Sequence, residues 1–309
     1  MLHSIDPEIS RRKSRALVDF GEMSAKVGLC ALISLIVLTA NPQRVLAQDS
    51  SDVKIGRVAL IGGVTLGTVI PVHLYQQSAW WQGQRAPFRF ENDWKYALNV
   101  DKVGHMYAGY ILSRTFGYML RWSGLSEHSS TFYGSVFGLS YQMYVEVEDG
   151  FHRDYGFSPG DAFSNMVGAT IPLAQSTFPV LKNFAFKYSY WPSSKYLDEL
   201  HAGQARAFLD DYQGTTVWLA VDPHFFIGNG AARVVPPWLG LAIGMAARDL
   251  DLNGNGRRIY SLALDYNLSK IDTDSDLLQA IFTLIDYIHL PAPGIQFEGN
   301  HIRVGVFYP

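Results

Sequence analysis

The sequence predicts an α+β protein: an N-terminal bundle of about four helices, then an antiparallel β-sheet region with one further helix. Two observations lead to this fold class. Up to residue 178, apolar residues form runs of helix length whose polar residues gather near the ends. From Pro179 onward, apolar and aromatic residues alternate or cluster in runs of strand length. Helices followed by strands are typical of α+β folds, and 309 residues are enough for a substantial core.

Residues 1–47 have the pattern of a secretory signal peptide. Several basic residues between Arg11 and Lys26 precede the uncharged run 27–40, and Val45-Leu46-Ala47 provides small residues at positions −3 and −1. We therefore expect cleavage after Ala47 and export to the periplasm or the outer membrane. An uncleaved anchor embedded in the inner membrane is the alternative.

The single cysteine, Cys30, lies within the apolar run of this segment. The small residues expected just before a lipidated cysteine are missing, so no lipid anchor is expected there. Cleavage after Ala47 would leave a chain without cysteine, which excludes disulfides and thiol catalysis.

Residues 48–178 are predicted to be the helical part of the chain. The first helix is uncharged and short for a membrane span, which leaves a buried helix and a membrane-embedded helix equally open. Trp80, Trp81 and Trp94 follow it, and such rings suit either a membrane interface or the edge of a core. The predicted helices are Val58–Val72, Lys102–Trp122, Ser130–Glu148 and Gly160–Gln175, the last opening after Ser158-Pro159.

Residues 179–309 are predicted to form antiparallel strands and one helix. Leu277–Leu290 is the helix, terminated by Pro291 and Pro293. Asn253 to Gly256 indicates a hairpin turn. A calcium loop beginning at Asp249 is less suitable, because its twelfth position is Tyr260 rather than a bidentate acid. The predicted strands are Phe184–Trp191, Thr216–Phe226, Trp238–Ala246, Arg258–Leu268 and His301–Tyr308.

The composition favours a lipid environment over a nucleic-acid partner. Charged residues make up 17% of the chain, below the roughly 25% usual in soluble domains, so part of the surface is expected to face something other than water. The formal net charge is −3 and no basic patch stands out, which argues against nucleic acid. A membrane or an envelope lipid is the expected partner.

Three polar pairs lie at predicted helix ends and form the candidate site. Asp101 and His105 are four residues apart, Glu146 and Asp149 three, and Asp161 and Asn165 four, so the members of each pair share one helix face. The connections between the helices would allow the three ends to converge.

Two readings of this constellation remain open. A histidine among carboxylates suits a divalent metal held by Asp101, His105, Glu146, Asp149 and Asp161, or acid–base catalysis by His105, Asp101, Glu146 and Asp161. The alternative is a structural polar network, with acids stabilising helix N-termini and with Lys102 and Asn165 as members. No G-x-S-x-G elbow, phosphate-binding glycine loop, H-E-x-x-H motif or lipid-phosphatase pattern is present.

The stretches Asp101-Lys-Val-Gly-His105, Glu146-x-x-Asp149-Gly150 and Asp161-x-x-x-Asn165-x-x-Gly168 carry a family resemblance. Together they resemble the domain of unknown function 2279, whose members are described as predicted periplasmic lipoproteins or envelope proteins. The D-K-x-x-H and D-x-x-x-N-x-x-G elements are also similar to VanZ-like membrane proteins, although Ala108 stands where an aromatic residue is preferred. The C-terminal part resembles longer members of the first family, so the likeness covers roughly residues 90–309. It implies a location and a site but no reaction.

These observations support three functional hypotheses. The first is a membrane-associated envelope protein without enzymatic activity, in which the polar helix ends fix the bundle. The second is a metal-assisted hydrolase acting on a lipid or cell-wall intermediate. The third treats residues 180–309 as strands of an outer-membrane barrel. It ranks last, since the sequence shows too few segments with the regular alternation that barrel strands need.

Overall fold

The computed structural model describes residues 53–83, 85–203, 207–227, 235–251 and 254–308 of the chain. They belong to one compact unit, Asp52–Pro309. This part contains six α-helices and a six-stranded antiparallel sheet, with the helices mostly N-terminal to the sheet. The α+β fold class is therefore confirmed. The expected signal peptide, residues 1–47, lies outside the described residues and stays a prediction.

Four helices precede the sheet, and serine caps begin two of them. Ser126 accepts a hydrogen bond from the main-chain N–H of Ser129, and Ser158 accepts one from Asp161 with Pro159 at the first helical position. The four helices are α1 (Ile55–Ala79), α2 (Val100–Trp122), α3 (Glu127–Gly150) and α4 (Pro159–Thr177). Two shorter helices within the sheet region, α5 (Ser194–His201) and α6 (Asp276–Ile285), begin after the capping residues Ser193 and Ser275.

Helix α1 is longer than the predicted Val58–Val72 and is not a buried helix. It spans 25 residues and continues past Pro71, and polar residues near its C-terminal end have partners on α3. His73 Nδ1 lies 2.5 Å from the Tyr144 hydroxyl, and Gln76 accepts a hydrogen bond from Tyr141. Only 6% of the most apolar 18-residue stretch of α1 is buried, so the buried alternative is wrong.

The strands lie in the sheet in sequence order, each antiparallel to the next. The β3–β4 pairing runs from Leu239↔Tyr266 to Arg248↔Arg257. The chain therefore reverses between Arg248 and Arg257, although Asn253 of the predicted turn lies outside the described residues. The strands are β1 (Phe184–Tyr190), β2 (Thr215–Val221), β3 (Leu239–Arg248), β4 (Arg257–Tyr266), β5 (Ala292–Glu298) and β6 (His301–Tyr308).

Several element boundaries in the sheet region differ from the predicted ones because of tertiary contacts. The sequence missed β5, because prolines rarely occur inside a strand; here Pro293 lies at a register irregularity between Ala292 and Gly294. Helix α6 ends at Ile285 instead of Leu290, since the following segment leaves the helix and exchanges main-chain hydrogen bonds with Tyr188 of β1. Strand β2 ends at Val221, where Asp222 caps a short 3-10 helix.

Helix α2 connects the helical part to the sheet. It packs against α3 and α4 on one side, and on the other its Tyr107 stacks on Tyr188 of β1 with ring centroids 5.4 Å apart. Arg258 of β4 donates a hydrogen bond to the main-chain oxygen of Leu98, just before α2 begins. The first turn of α2, which carries the predicted polar residues, therefore lies where the helices meet the sheet.

Candidate functional site

Lys102 is the centre of a buried polar cluster. Its ammonium group lies 2.5 Å from a carboxylate oxygen of Asp101, 2.7 Å from Asp161 and 2.8 Å from Asp93. The Lys102 side chain is only 5% exposed. A lysine this deeply buried is found where opposite charges compensate its desolvation, and here three carboxylates do so.

His105 lies one turn further along α2 and faces the same acids. Its Nε2 is 3.7 Å from Asp101 Oδ1 and 3.7 Å from Asp161 Oδ1, and its Nδ1 is 3.5 Å from Glu146 Oε1. Asn165 Oδ1 lies 3.3 Å from the same Nδ1. The His105 side chain is 24% exposed, so it is more open to the outside than Asp101, Glu146 or Asp161.

Helices α3 and α4 supply the inner wall of the cluster. Asn165 is fully buried; it accepts a hydrogen bond of 2.9 Å from Gln142 and donates one of 3.4 Å to Glu146. The main-chain N–H of Ser158 donates to the other oxygen of Glu146. A Cβ on Gly168 would stand 1.9 Å from the main-chain oxygen of Met106, so α2 and α4 touch there, which keeps the two helices close beside His105 and Asn165.

Burial and neighbouring charges together set the protonation of these groups. Burial raises the pKa of Glu146 to about 8, although His105 opposes the shift. Burial likewise raises the pKa of Asp161, with His105 again opposing it. Burial works against ionisation of Asp101 too, but His105 and Lys102 prevail and lower its pKa. Partial burial works against protonation of the His105 imidazole, yet the carboxylates of Asp101, Asp161 and Glu146 raise its pKa. The cluster therefore favours two cations, Lys102 and His105, beside an ionised Asp101.

Asp149 is the one predicted site residue with a different principal partner. Trp81 donates its indole N–H to Asp149 Oδ1 at 2.7 Å, and burial raises the pKa of this carboxyl to about 6. Asp149 influences the cluster through charge, as a lesser contribution to the raised pKa of Glu146. The structure thus brings Asp101, Lys102, His105, Glu146, Asp161 and Asn165 together and orients Asp149 toward α1's C-terminal end.

Four further residues complete the cluster and were missed in the sequence. The hydroxyl of Tyr212, just before β2, donates a hydrogen bond of 2.6 Å to Asp101 Oδ1. Asp93 pairs with Lys102, and Ser158 and Gln142 hold neighbouring groups. Only Ser158 carried a local signal, the Ser-Pro helix start. The others lie in segments whose proximity depends on tertiary packing.

A metal ion has a candidate set of ligands here. One ligand atom each of Asp101, His105 and Asp161 lies within 4.8 Å of the other two, which is a spacing that a single divalent ion can bridge. The ammonium of Lys102, however, already contacts two of these three residues. Lys102 therefore supplies positive charge where a bound cation would.

An open pocket of about 460 Å³ lies beside the cluster, lined by Asn92, Trp94, Pro159 and Gly160. Gly160 lies against both the Trp94 ring and the lysine stem, since a Cβ built on it would lie 3.1 Å from Cε of Lys102. The pocket gives the cluster a neighbouring cavity of small-molecule size.

A second buried ionic group lies under the sheet and was not predicted. Lys187 of β1 contacts Asp265 and Asp286, each at 2.8 Å, and His289 Nδ1 lies 3.0 Å from Asp265. Lys187 is completely buried, and the His289 ring stacks on Trp218 at 3.8 Å. These residues join β1, β4 and the segment after α6.

Comparison with known proteins bears on the helical part. The search of curated proteins and the search of solved structures give no match. The similarity to VanZ-like proteins and the resemblance of the C-terminal part stay predictions. One family model does match, over 88 residues that include every cluster member except Tyr212. Its description agrees with an exported envelope protein and names no reaction. The predicted resemblance is confirmed: residues 89–176 match the family described as "Predicted periplasmic lipoprotein (DUF2279)".

Proposed function

We propose that this protein is an exported envelope protein held at a membrane by helix α1. In this proposal the polar cluster has a structural role and fixes the positions of helices α2, α3 and α4. The observation that carries the proposal is the exposed apolar surface of α1. A helix of 25 residues is about 37 Å long, more than the roughly 30 Å of a bilayer's hydrocarbon core. Leu60, Leu66, Ile70 and Leu74 are all more than half exposed along it.

The charges around α1 support the same arrangement. Lys54 and Arg57 lie at its start, and the next charged residue is Arg85, after the helix has ended. Arg57 is fixed at this end, since its guanidinium lies over Trp122 and donates to that residue's main-chain oxygen at 2.6 Å. A helix without charge beyond its first turn, with basic and tryptophan residues at its ends, is typical of a membrane anchor.

The structural role of the cluster follows from its internal compensation. Lys102 neutralises acids from α2, α4 and the segment before α2, and Tyr212 ties Asp101 to the sheet region. Isolated carboxylates in this position would be strongly destabilising. The cluster therefore fixes the mutual positions of α2, α3, α4 and the start of β2.

Extraction of membranes with alkaline carbonate, which removes peripheral proteins, tests the anchor. The full chain should remain in the pellet. A variant carrying Leu66→Asp and Ile70→Asp should be released, because two carboxylates cannot remain in the hydrocarbon core. The matched control, Leu197→Asp with Leu200→Asp on α5, should stay in the pellet like the unmodified chain. Release of the unmodified chain, or retention of the α1 variant, would contradict the proposal.

A metal-assisted hydrolase of a lipid or cell-wall intermediate is the second candidate. The observation in its favour is the grouping of Asp101, His105 and Asp161 atoms within 4.8 Å, beside a pocket of about 460 Å³. Elemental analysis and Mn²⁺ titration by calorimetry test it. Stoichiometric metal that is lost in His105→Ala but kept in the exposed control His128→Ala supports the hydrolase. A chain that binds no Mn²⁺ rules it out.

A further inference from the structure

The sheet has one face whose polarity is the reverse of that expected in water. Successive strand residues point to opposite faces, so the cross-strand register defines which side chains stand together. We call the side bearing Ile243 and Leu262 the outer face. Its three central cross-strand rows carry no charged residue: Val217–Met245–Tyr260–Phe297–Ile302, Leu219–Ile243–Leu262–Ile295–Val304 and Val221–Leu241–Leu264. The row at its end pairs Ala247 with Arg258, whose guanidinium is taken up by hydrogen bonds to Leu98 and Asn99 just before α2.

The outer face is apolar and open from β3 to β6. Near β1 and β2 the helices cover it, as Tyr107 of α2 does at Tyr188. Beyond them the side chains are uncovered, and Val304 on β6 is 80% exposed. An open groove of about 280 Å³, lined by residues such as Leu241, Leu262 and Ile295, crosses this region. The other exposed members of the rows are Ile243, Tyr260, Phe297 and Ile302.

The opposite side of the same strands holds the ionic groups. Lys187 and Asp265 are buried there with His289, and Trp218 packs with Ala220, Ala242 and Ala263. Strands that face lipid alternate in this way, with polar or charged side chains on the enclosed side and apolar side chains on the outside. A sheet that faces water would show the reverse pattern.

We infer that the outer face of β3–β6 contacts the acyl chains of a lipid bilayer. This inference rests on the proposed membrane anchorage and extends it to a second part of the molecule. Apolar surface is exposed on three separate elements, since Leu277 and Leu284 of α6 are exposed as well as α1 and the sheet. A fluid bilayer covers apolar side chains on several elements together, whereas a second copy of the chain would cover one complementary face.

The open edge of the sheet limits how deep this contact goes. Strand β6 is an edge strand, so half of its main-chain N–H and C=O groups have no neighbour within the sheet. Such groups are costly in the hydrocarbon interior, where water cannot satisfy them. The outer face therefore lies against one leaflet at the level of the headgroups and upper acyl chains.

Environment-sensitive fluorescence in vesicles tests this contact. Cys30 is the only cysteine, so a Cys30→Ser background of the full chain accepts single labelling sites. Ile243→Cys and Leu262→Cys report on the outer face, Leu66→Cys on α1, and Lys195→Cys on α5 is the exposed polar control. Each labelled protein is reconstituted in phosphatidylcholine–phosphatidylglycerol vesicles that contain phospholipid with a spin label on the acyl chain.

Labels at Ile243 and Leu262 should be quenched by the spin-labelled lipid severalfold more than the label at Lys195, which aqueous iodide should quench instead. Quenching at Leu66 without quenching at Ile243 and Leu262 overturns this inference and leaves the anchor in place. Absence of quenching at all these positions overturns both. Labels protected from lipid and from iodide, with Ile243→Cys copies that cross-link to one another, show a face between two copies and also overturn it.

Discussion

The replacement of Lys102 by methionine tests the polar cluster most directly. Methionine keeps much of the length and apolar stem of lysine but removes the ammonium that contacts Asp93, Asp101 and Asp161. The variant is then left with carboxylates that are almost fully buried; the side chain of Asp101 is 4% exposed and that of Asp161 8%. Among the described residues, the other cation in contact with these two carboxylates is His105, whose Nε2 lies 3.7 Å from each. The variant therefore leaves more buried acid than cation in the cluster.

The magnitude follows from this burial. Removing one partner of a buried ion pair costs about 3–5 kcal/mol, because an uncompensated charge remains. For a domain of this size, that loss lowers the melting temperature by roughly 6–20 °C. Acid should reduce the deficit, since protonation of the orphaned carboxyl groups removes the uncompensated charge.

Thermal unfolding followed by circular dichroism in detergent measures this effect. The matched control is Lys182→Met, whose ammonium pairs with Glu127 at 3.0 Å but on the surface, with the lysine side chain 52% exposed. That variant should lose no more than about 1 kcal/mol. Equal melting temperatures for the two variants, or a Lys102→Met deficit that does not shrink in acid, would refute the reasoning.

Three further predictions concern the same region. The pKa of Glu146 is raised from 4.5 to about 8, so the folded chain binds this proton more tightly than the unfolded chain and should lose stability as the pH rises from 4.5 to 8. Glu146→Gln should flatten the dependence of the melting temperature on pH, and an unchanged slope contradicts the assignment. Gly168→Ala should lower the free energy of unfolding by about 1–3 kcal/mol through overpacking against α2. The control Gly104→Ala, with nothing within 4 Å of its Cβ, should be neutral or stabilising, and denaturant titrations measure both. Tyr212→Phe should cost about 1–3 kcal/mol by removing a hydrogen bond to buried Asp101, and an unaltered unfolding midpoint would show that this contact is not formed.

Local patterns in the sequence were enough to predict the fold class and much of the cluster. Runs of helix length before Pro179 and of strand length after it reflect burial on one side of each element, which is a local property. Spacings of four residues placed Asp101 with His105 and Asp161 with Asn165 on shared helix faces, and the structure brings both pairs together. The roles of these residues in metal binding or catalysis stay predictions.

The tertiary structure decided which residues the cluster members contact and which face of the sheet is buried. Asp93 and Tyr212 reach the cluster from segments 8 residues before and 111 residues after Asp101, and no periodicity links such positions. Leu290 was assigned to a helix because apolar residues continue up to it, whereas main-chain pairing with β1 draws the segment out of the helix after Ile285.

The same distinction applies to the apolar strands. Alternation along β3 and β4 establishes that these strands have two different faces, but not which face is inside. Only the long-range pairing of Lys187 with Asp265 and Asp286 decides this, because enclosing those charges leaves Ile243 and Leu262 on the exposed side of the sheet.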